Sequence, residues 1–173
     1  MQLLAISGSL RARSSNTEVL RALALVAPPG VTITHYDGLA DLPAFNPDVE
    51  ETTVPSVVAD LRAAVDRSDA LVLSSPEYAH GVAGSLKNAL DWLVGQGRAR
   101  KPIALLNTSQ TATIAHAALA EILTTMDGVV LPSASLRVVT GPRDAAAIAA
   151  DPTLSAQLRR TLAALLAAVA ADP

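Results

Sequence analysis

Residues 70–94 read ALVLSSPEYAHGVAGSLKNALDWLV, and three kinds of chain follow one another within them. Ala70-Leu71-Val72-Leu73 is an unbroken apolar run of strand length, the pattern of a strand covered on both faces. Pro76 ends it, because proline donates no ladder hydrogen bond, and Gly81 offers freedom for a sharp turn. Between them lie Glu77, Tyr78, Ala79 and His80. From residue 83 onward, Leu86, Ala89, Leu90, Leu93 and Val94 recur at helical spacing. The stretch is a buried strand, a polar loop and an amphipathic helix.

The same alternation repeats outward. Leu3–Ile6 is a first strand, followed by a helix with Ser15 as N-cap and Glu18 at capping-box spacing. Val19, Leu20, Leu23 and Val26 form its apolar face, and Pro28-Pro29-Gly30 ends it. Val31–Tyr36 is a second strand, and 37–54 is a long irregular connection. A helix over 55–67 leads to the third strand at 70–74. Strands at 102–106 and near 129–131 flank a helix over 114–126. The last helix has Asp151 as N-cap and Pro152 at its first position. Apolar strands alternating with helices imply an α/β fold with a parallel sheet covered on both faces. No repeat or linker divides the chain, so one domain over 1–173 is expected.

Composition narrows the function classes. A chain of 173 residues buries about two-thirds of its surface. The 13 Lys and Arg are scattered against 16 acids, unlike the basic stripe of a nucleic-acid binder. The absence of Cys excludes disulfides, thiolate metal sites and a cysteine nucleophile. No other metal-ligating set is singled out. The apolar runs are short, so no membrane partner is expected. The first residues lack a basic leader, so a cytoplasmic location is expected.

In an open α/β sheet, ligands bind beyond the carboxyl ends of the strands. Three loops qualify. The first, Ser7-Gly8-Ser9-Leu10-Arg11-Ala12-Arg13-Ser14-Ser15-Asn16-Thr17, joins a strand to a helix start, where free N–H groups and the helix dipole favour an anion. Gly8 lets the backbone turn, Ser9, Ser14 and Thr17 add hydroxyls, and Arg11 adds charge. Serines at a helix start also serve as plain caps, but the neighbouring arginines favour an anion. Neither GxxxxGK[ST] nor GxGxxG is present. The second loop places Tyr78 and His80 among exposed amides, which suits a flat heterocycle. The third is Asn107–Thr113, polar throughout.

Gly8-Ser9-Leu10-Arg11-x-x-Ser14-x-Asn16, with Pro76-Glu77-Tyr78-x-x-Gly81-x-x-Gly84-x-Leu86-Lys87-Asn88-Ala89-Leu90-Asp91-Trp92, resembles the NADPH-dependent FMN reductases. These flavodoxin-like proteins include quinone, azo-dye and chromate reductases. The likeness runs over nearly the whole chain, including Leu42-Pro43-x-Phe45-Asn46-Pro47-Asp48. It implies a three-layer sandwich with five parallel strands in the order 2-1-3-4-5. It also implies FMN without a covalent link, its phosphate on Ser9, Arg11, Ser14, Ser15, Asn16 and Thr17. The isoalloxazine would lie against Pro76, Glu77, Tyr78, Ala79, His80 and Gly81, with Ser109 and Thr111 near its pyrimidine side. NADPH or NADH would give hydride to the flavin, and a small acceptor would then take it from the same place. No side chain is assigned a certain catalytic role; His80 is a candidate acceptor contact. Asn88 and Trp92 are read as scaffold, and a homodimer or homotetramer is implied.

Two positions and one loop depart from the family pattern. Ala79 stands where Asn is frequent, Ala83 where Pro is frequent, and Asn107–Thr113 lacks the glycines of many relatives. Alternatives are a flavodoxin-type electron carrier, a flavin-binding protein of low turnover, and a phosphate-ligand binder without flavin. Arg11 in the phosphate loop and the scarcity of aromatics weigh against the carrier.

Overall fold

The computed structural model describes residues 1–95 and 100–171. The remaining positions of the expected 1–173 domain lie outside the described residues. The main sheet contains β1 (Gln2–Ser7), β2 (Thr32–Tyr36), β3 (Ala70–Ser74), β6 (Pro102–Asn107), β7 (Val129–Val130) and β8 (Leu136–Arg137). Its order is β2-β1-β3-β6-β7, all parallel, which is the five-strand order 2-1-3-4-5 once the small hairpin is set aside. The outermost position is shared. β7 pairs with Pro102 and Ile103, whereas β8 pairs with Leu106 and Asn107 farther along the same strand. Between them, Ser135 Oγ accepts the Leu105 N–H at 3.0 Å, so a side chain replaces a missing strand partner.

Alternation along each strand divides the core in two. Leu4, Ile6, Leu71, Leu73, Ile103 and Leu105 face α3 (Ser56–Asp66), α4 (Gly84–Asp91) and α5 (Ile114–Thr125). Leu3, Ala5, Ala70, Val72, Ala104 and Leu106 face α1 (Ser15–Leu25), α6 (Ala145–Ala150) and α7 (Pro152–Ala171). Burial on both faces explains why these strands read as unbroken apolar runs. α7 is long and apolar enough to cross a membrane. Its Leu154, Leu158, Leu162 and Leu165 are nevertheless buried in the second core, and Arg159 donates to the Val26 carbonyl. It is a core helix of this fold.

Several expectations are corrected. The N-cap of α1 is Ser14, whose side chain accepts from the Thr17 N–H; Ser15 is the first helical residue. Glu18 closes no capping box. Its carboxylate instead takes Arg21 and the Ala145 N–H, 127 positions away. The 37–54 connection contains a 3₁₀ turn (Gly38–Asp41) and a short helix, α2 (Pro47–Thr52), capped by Asn46. It is tied to α4, because Asn88 Nδ2 and Trp92 Nε1 both donate to the Pro43 carbonyl, at 2.8 and 2.9 Å. Asn88 Oδ1 accepts the Phe45 N–H, and the Phe45 ring meets Trp92 edge-on at 5.0 Å. The motif residues of α4 thus hold a distant loop in place.

Candidate functional site

Strand register brings the three loops together. Ser7 of β1 lies beside Ser74 of β3, and Ser74 beside Leu106 of β6. β2 lies on one side of β1 and β3 on the other, so the chain reverses direction across the sheet at β1. A cleft of about 440 Å³ opens at this edge. It is lined by Ser9, Arg11, Arg13, Ser14, Ser15 and Asn16 from the first loop, Ser75 to Tyr78 from the second, and Thr108, Ser109, Thr111 and Ala112 from the third.

The first loop is held by its own hydroxyls. The Gly8 N–H bonds the Ser74 carbonyl at 2.8 Å, and Ser85 Oγ donates to the Gly8 carbonyl. Gly8 is needed for close approach, not for an unusual turn: a Cβ there would lie 3.0 Å from Ser75 Oγ and 3.2 Å from Leu86 Cβ. Thr17 differs from expectation. Its hydroxyl bonds Ser7 Oγ at 2.9 Å and it lines a separate depression, so it braces strand to helix. Asn16 is buried with its Oδ1 at 2.8 Å from Ser74 Oγ and 3.2 Å from Thr108 Oγ1, which links all three loops. Ser15 Oγ adds a second bond to Thr108 at 3.1 Å. Arg11 is exposed and makes no ion pair among the described residues.

The second loop is a two-stranded hairpin, β4 (Glu77–Tyr78) against β5 (Gly81–Val82), a feature the sequence reading missed. Its turn residues have left-handed backbones, Ala79 at φ 48° and His80 at φ 62°, while Gly81 has no positive φ. The left-handed turn therefore falls on two non-glycine residues, where asparagine would sit more easily than alanine. Ala79, His80 and Gly81 do not line the cleft. The His80 side chain is 76% exposed, with Nδ1 at 3.0 Å from Glu77 Oε1. Glu77 also caps α5, accepting the Ala115 N–H at 2.8 Å. The Ala115 N–H, and then the His80 ring, hold the Glu77 carboxyl below the usual carboxylate range. Tyr78 lies on the cleft wall and is 53% exposed.

The third loop replaces glycine with side-chain bracing. Asn107 Oδ1 accepts the Ser109 N–H and its Nδ2 donates to the Ala112 carbonyl at 2.7 Å. Ser109 Oγ accepts from the N–H groups of Thr111 and Ala112. Arg137 of β8, a residue that no periodicity marks, donates to the carbonyls of Gln110 and Ala112.

This donor set fits a flavin mononucleotide. One end of the cleft has a helix start, three serine hydroxyls and the guanidinium groups of Arg11 and Arg13, which make no ion pair among the described residues, a set suited to a terminal phosphate. The other has Pro76, Tyr78 and Ala112 for a flat ring, with hydroxyls at Ser109 and Thr111.

Comparison with known proteins agrees. The model of the NADPH-dependent FMN reductase family matches residues 1–142. A quinone reductase of Escherichia coli is 35% identical over 139 residues, which is 76% of this chain and 73% of that protein. An NAD(P)H-dependent FMN reductase of Pseudomonas aeruginosa is 38% identical over 112 residues, covering 63% of this chain and 60% of that one. Among solved structures, the flavoenzyme NAD(P)H:(acceptor) oxidoreductase FerB of Paracoccus denitrificans superposes with TM-score 0.79 at 25% identity, over 98% of this chain and 97% of that one.

Proposed function

The chain belongs to the NADPH-dependent FMN reductase family, and from that premise we propose a residue-level account of how it holds FMN and serves its acceptor. It is an NAD(P)H-dependent flavin oxidoreductase with FMN as cofactor and NAD(P)H as hydride donor. When bound, FMN accepts hydride from NAD(P)H and delivers it to a small acceptor.

Ser9, Arg11, Ser14 and Ser15 bind the phosphate, with the first N–H groups of α1 behind them. Asn16 fixes their spacing through Ser74 and Thr108. Pro76 and Tyr78 position the ring, and the rigid hairpin keeps Tyr78 against the open cleft. Ser109 and Thr111 offer hydroxyl protons to the ring's polar edge, where a donor aimed at developing charge is worth about 3 kcal/mol. Glu77 acts indirectly, locking the hairpin to α5. No side chain of this set has to carry a proton.

The acceptor class is a quinone or a comparable small oxidant. One observation carries the proposal: Arg11 and Tyr78, 67 positions apart in sequence, line one cleft at the carboxyl edge of the sheet. Val94, just beyond α4, and Ile114, at the start of α5, are exposed large apolar residues, which supports a homodimer or homotetramer using that side. The test is a visible absorption spectrum of the purified protein, then anaerobic bleaching by NADPH and recovery with a quinone. A colourless protein that FMN does not saturate would refute the assignment. Bleaching without recovery would favour a flavin-binding protein of low turnover.

A further inference from the structure

A second cleft, of about 550 Å³, shares Arg11, Arg13, Ser14 and Ser15 with the first and runs on to Gly141, Pro142, Arg143 and Asp144. Its lining has three guanidinium groups and two carboxylates. The carboxylates are already engaged. Glu18 Oε1 bonds Arg21 at 2.9 Å and Oε2 accepts the Ala145 N–H at 2.7 Å. Asp144 Oδ1 accepts the Ala147 N–H at 2.8 Å. Both acids brace the start of α6, while Arg11, Arg13 and Arg143 make no ion pair among the described residues. Gly141, at φ 60°, turns the chain so that Pro142 and Arg143 join this lining.

We propose that this second cleft receives the 2′-phosphate of NADPH, and that Arg143, with Arg13, makes the protein prefer NADPH to NADH. The proposal rests on the flavin assignment of the first cleft. A nicotinamide at the Tyr78 and Ala112 end of the first cleft would leave the adenosine end of the donor to reach toward the second. The two clefts meet at Arg11, Arg13, Ser14 and Ser15, beside the start of α1. The pyrophosphate is common to both dinucleotides, so cations meeting it cannot discriminate. Only the 2′-phosphate offers a terminal dianion, and the planar guanidinium fork matches such a group with two parallel hydrogen bonds. An excess of one positive charge in the lining suits a donor that must also leave. Arg143 lies one residue beyond the stretch that the family model matches.

The experiment uses the FMN-loaded protein and the variants Arg143→Ala, Arg143→Lys and Arg13→Ala. Calorimetry compares 2′,5′-ADP with 5′-AMP, and steady-state kinetics compares NADPH with NADH against one quinone. The expected result for Arg143→Ala is about tenfold weaker binding of 2′,5′-ADP and a similar rise in KM for NADPH. Its kcat and its KM for NADH stay unchanged, and Arg143→Lys retains part of the preference. Equal loss with both dinucleotides, no loss with NADPH, or a wild-type protein that binds the two nucleotides equally would each overturn the proposal. A preceding FMN titration separates the two failures: a protein that takes up no FMN defeats the flavin assignment itself.

Discussion

Glu77 Oε2 accepts the Ala115 backbone N–H at 2.8 Å, joining the hairpin to the first turn of α5 across 38 positions of sequence. The bond satisfies an N–H that the helix cannot pair internally and sets a negative charge at its positive end.

Replacing the charge without the shape tests that link. Glu77→Gln is expected to lower the melting temperature at pH 7. The folded carboxyl titrates below its ordinary value near 4.5, chiefly because of the Ala115 N–H. Its stabilisation is therefore complete above that value and disappears as pH falls through the folded pKa. The melting temperatures of wild type and Glu77→Gln should converge in acid; a gap independent of pH would show that charge is not the cause.

Arg11→Ala should weaken FMN binding by about 10- to 100-fold, the loss of a charged hydrogen-bond donor to a phosphate. Flavin fluorescence during titration of the apoprotein reads this directly. Arg11→Lys should fall between, since lysine keeps the charge and loses the fork.

Ala79→Gly is expected to stabilise the fold by about 0.5–1 kcal/mol in urea, because glycine adopts a left-handed backbone without the Cβ clash. Ala79→Val should move the midpoint the other way. No change in either variant would mean that the turn at φ 48° is unstrained.

Trp92→Phe removes one of the two donors on the Pro43 carbonyl while leaving most of the ring packing. About 1 kcal/mol of stability should be lost, with FMN affinity intact. Asn88→Ala also strips the Phe45 N–H of its acceptor and should cost more.

Much of the frame was legible because burial on both faces writes itself as apolar runs, as at Leu71-Val72-Leu73. What escaped was short or spent on local bonding. β8 has two residues and α6 has six, too few to show a period. Ser14 and Ser15 are equivalent in composition, and only the backbone shows which one caps. Glu18 sits at capping-box spacing, yet its partner is Ala145, which no local pattern discloses. The hairpin lacks the Asn-Gly signal because its turn is Ala79-His80. Thr17 resembles a phosphate ligand by neighbourhood, but its hydroxyl belongs to Ser7. Arg137 and Arg143 lie outside any periodic stripe, and tertiary structure alone brings them beside the loops they serve.

The shared outermost position of the sheet has a further consequence. β7 and β8 expose two short stubs of backbone rather than one straight rail. A foreign strand would have to match a broken ladder, so that margin is a poor template for fibril growth. The uninterrupted margin is β2, five residues of which Thr32 and Thr34 are exposed and Ile33, His35 and Tyr36 half-buried. Aggregation of this chain on partial unfolding should therefore start from Thr32–Tyr36.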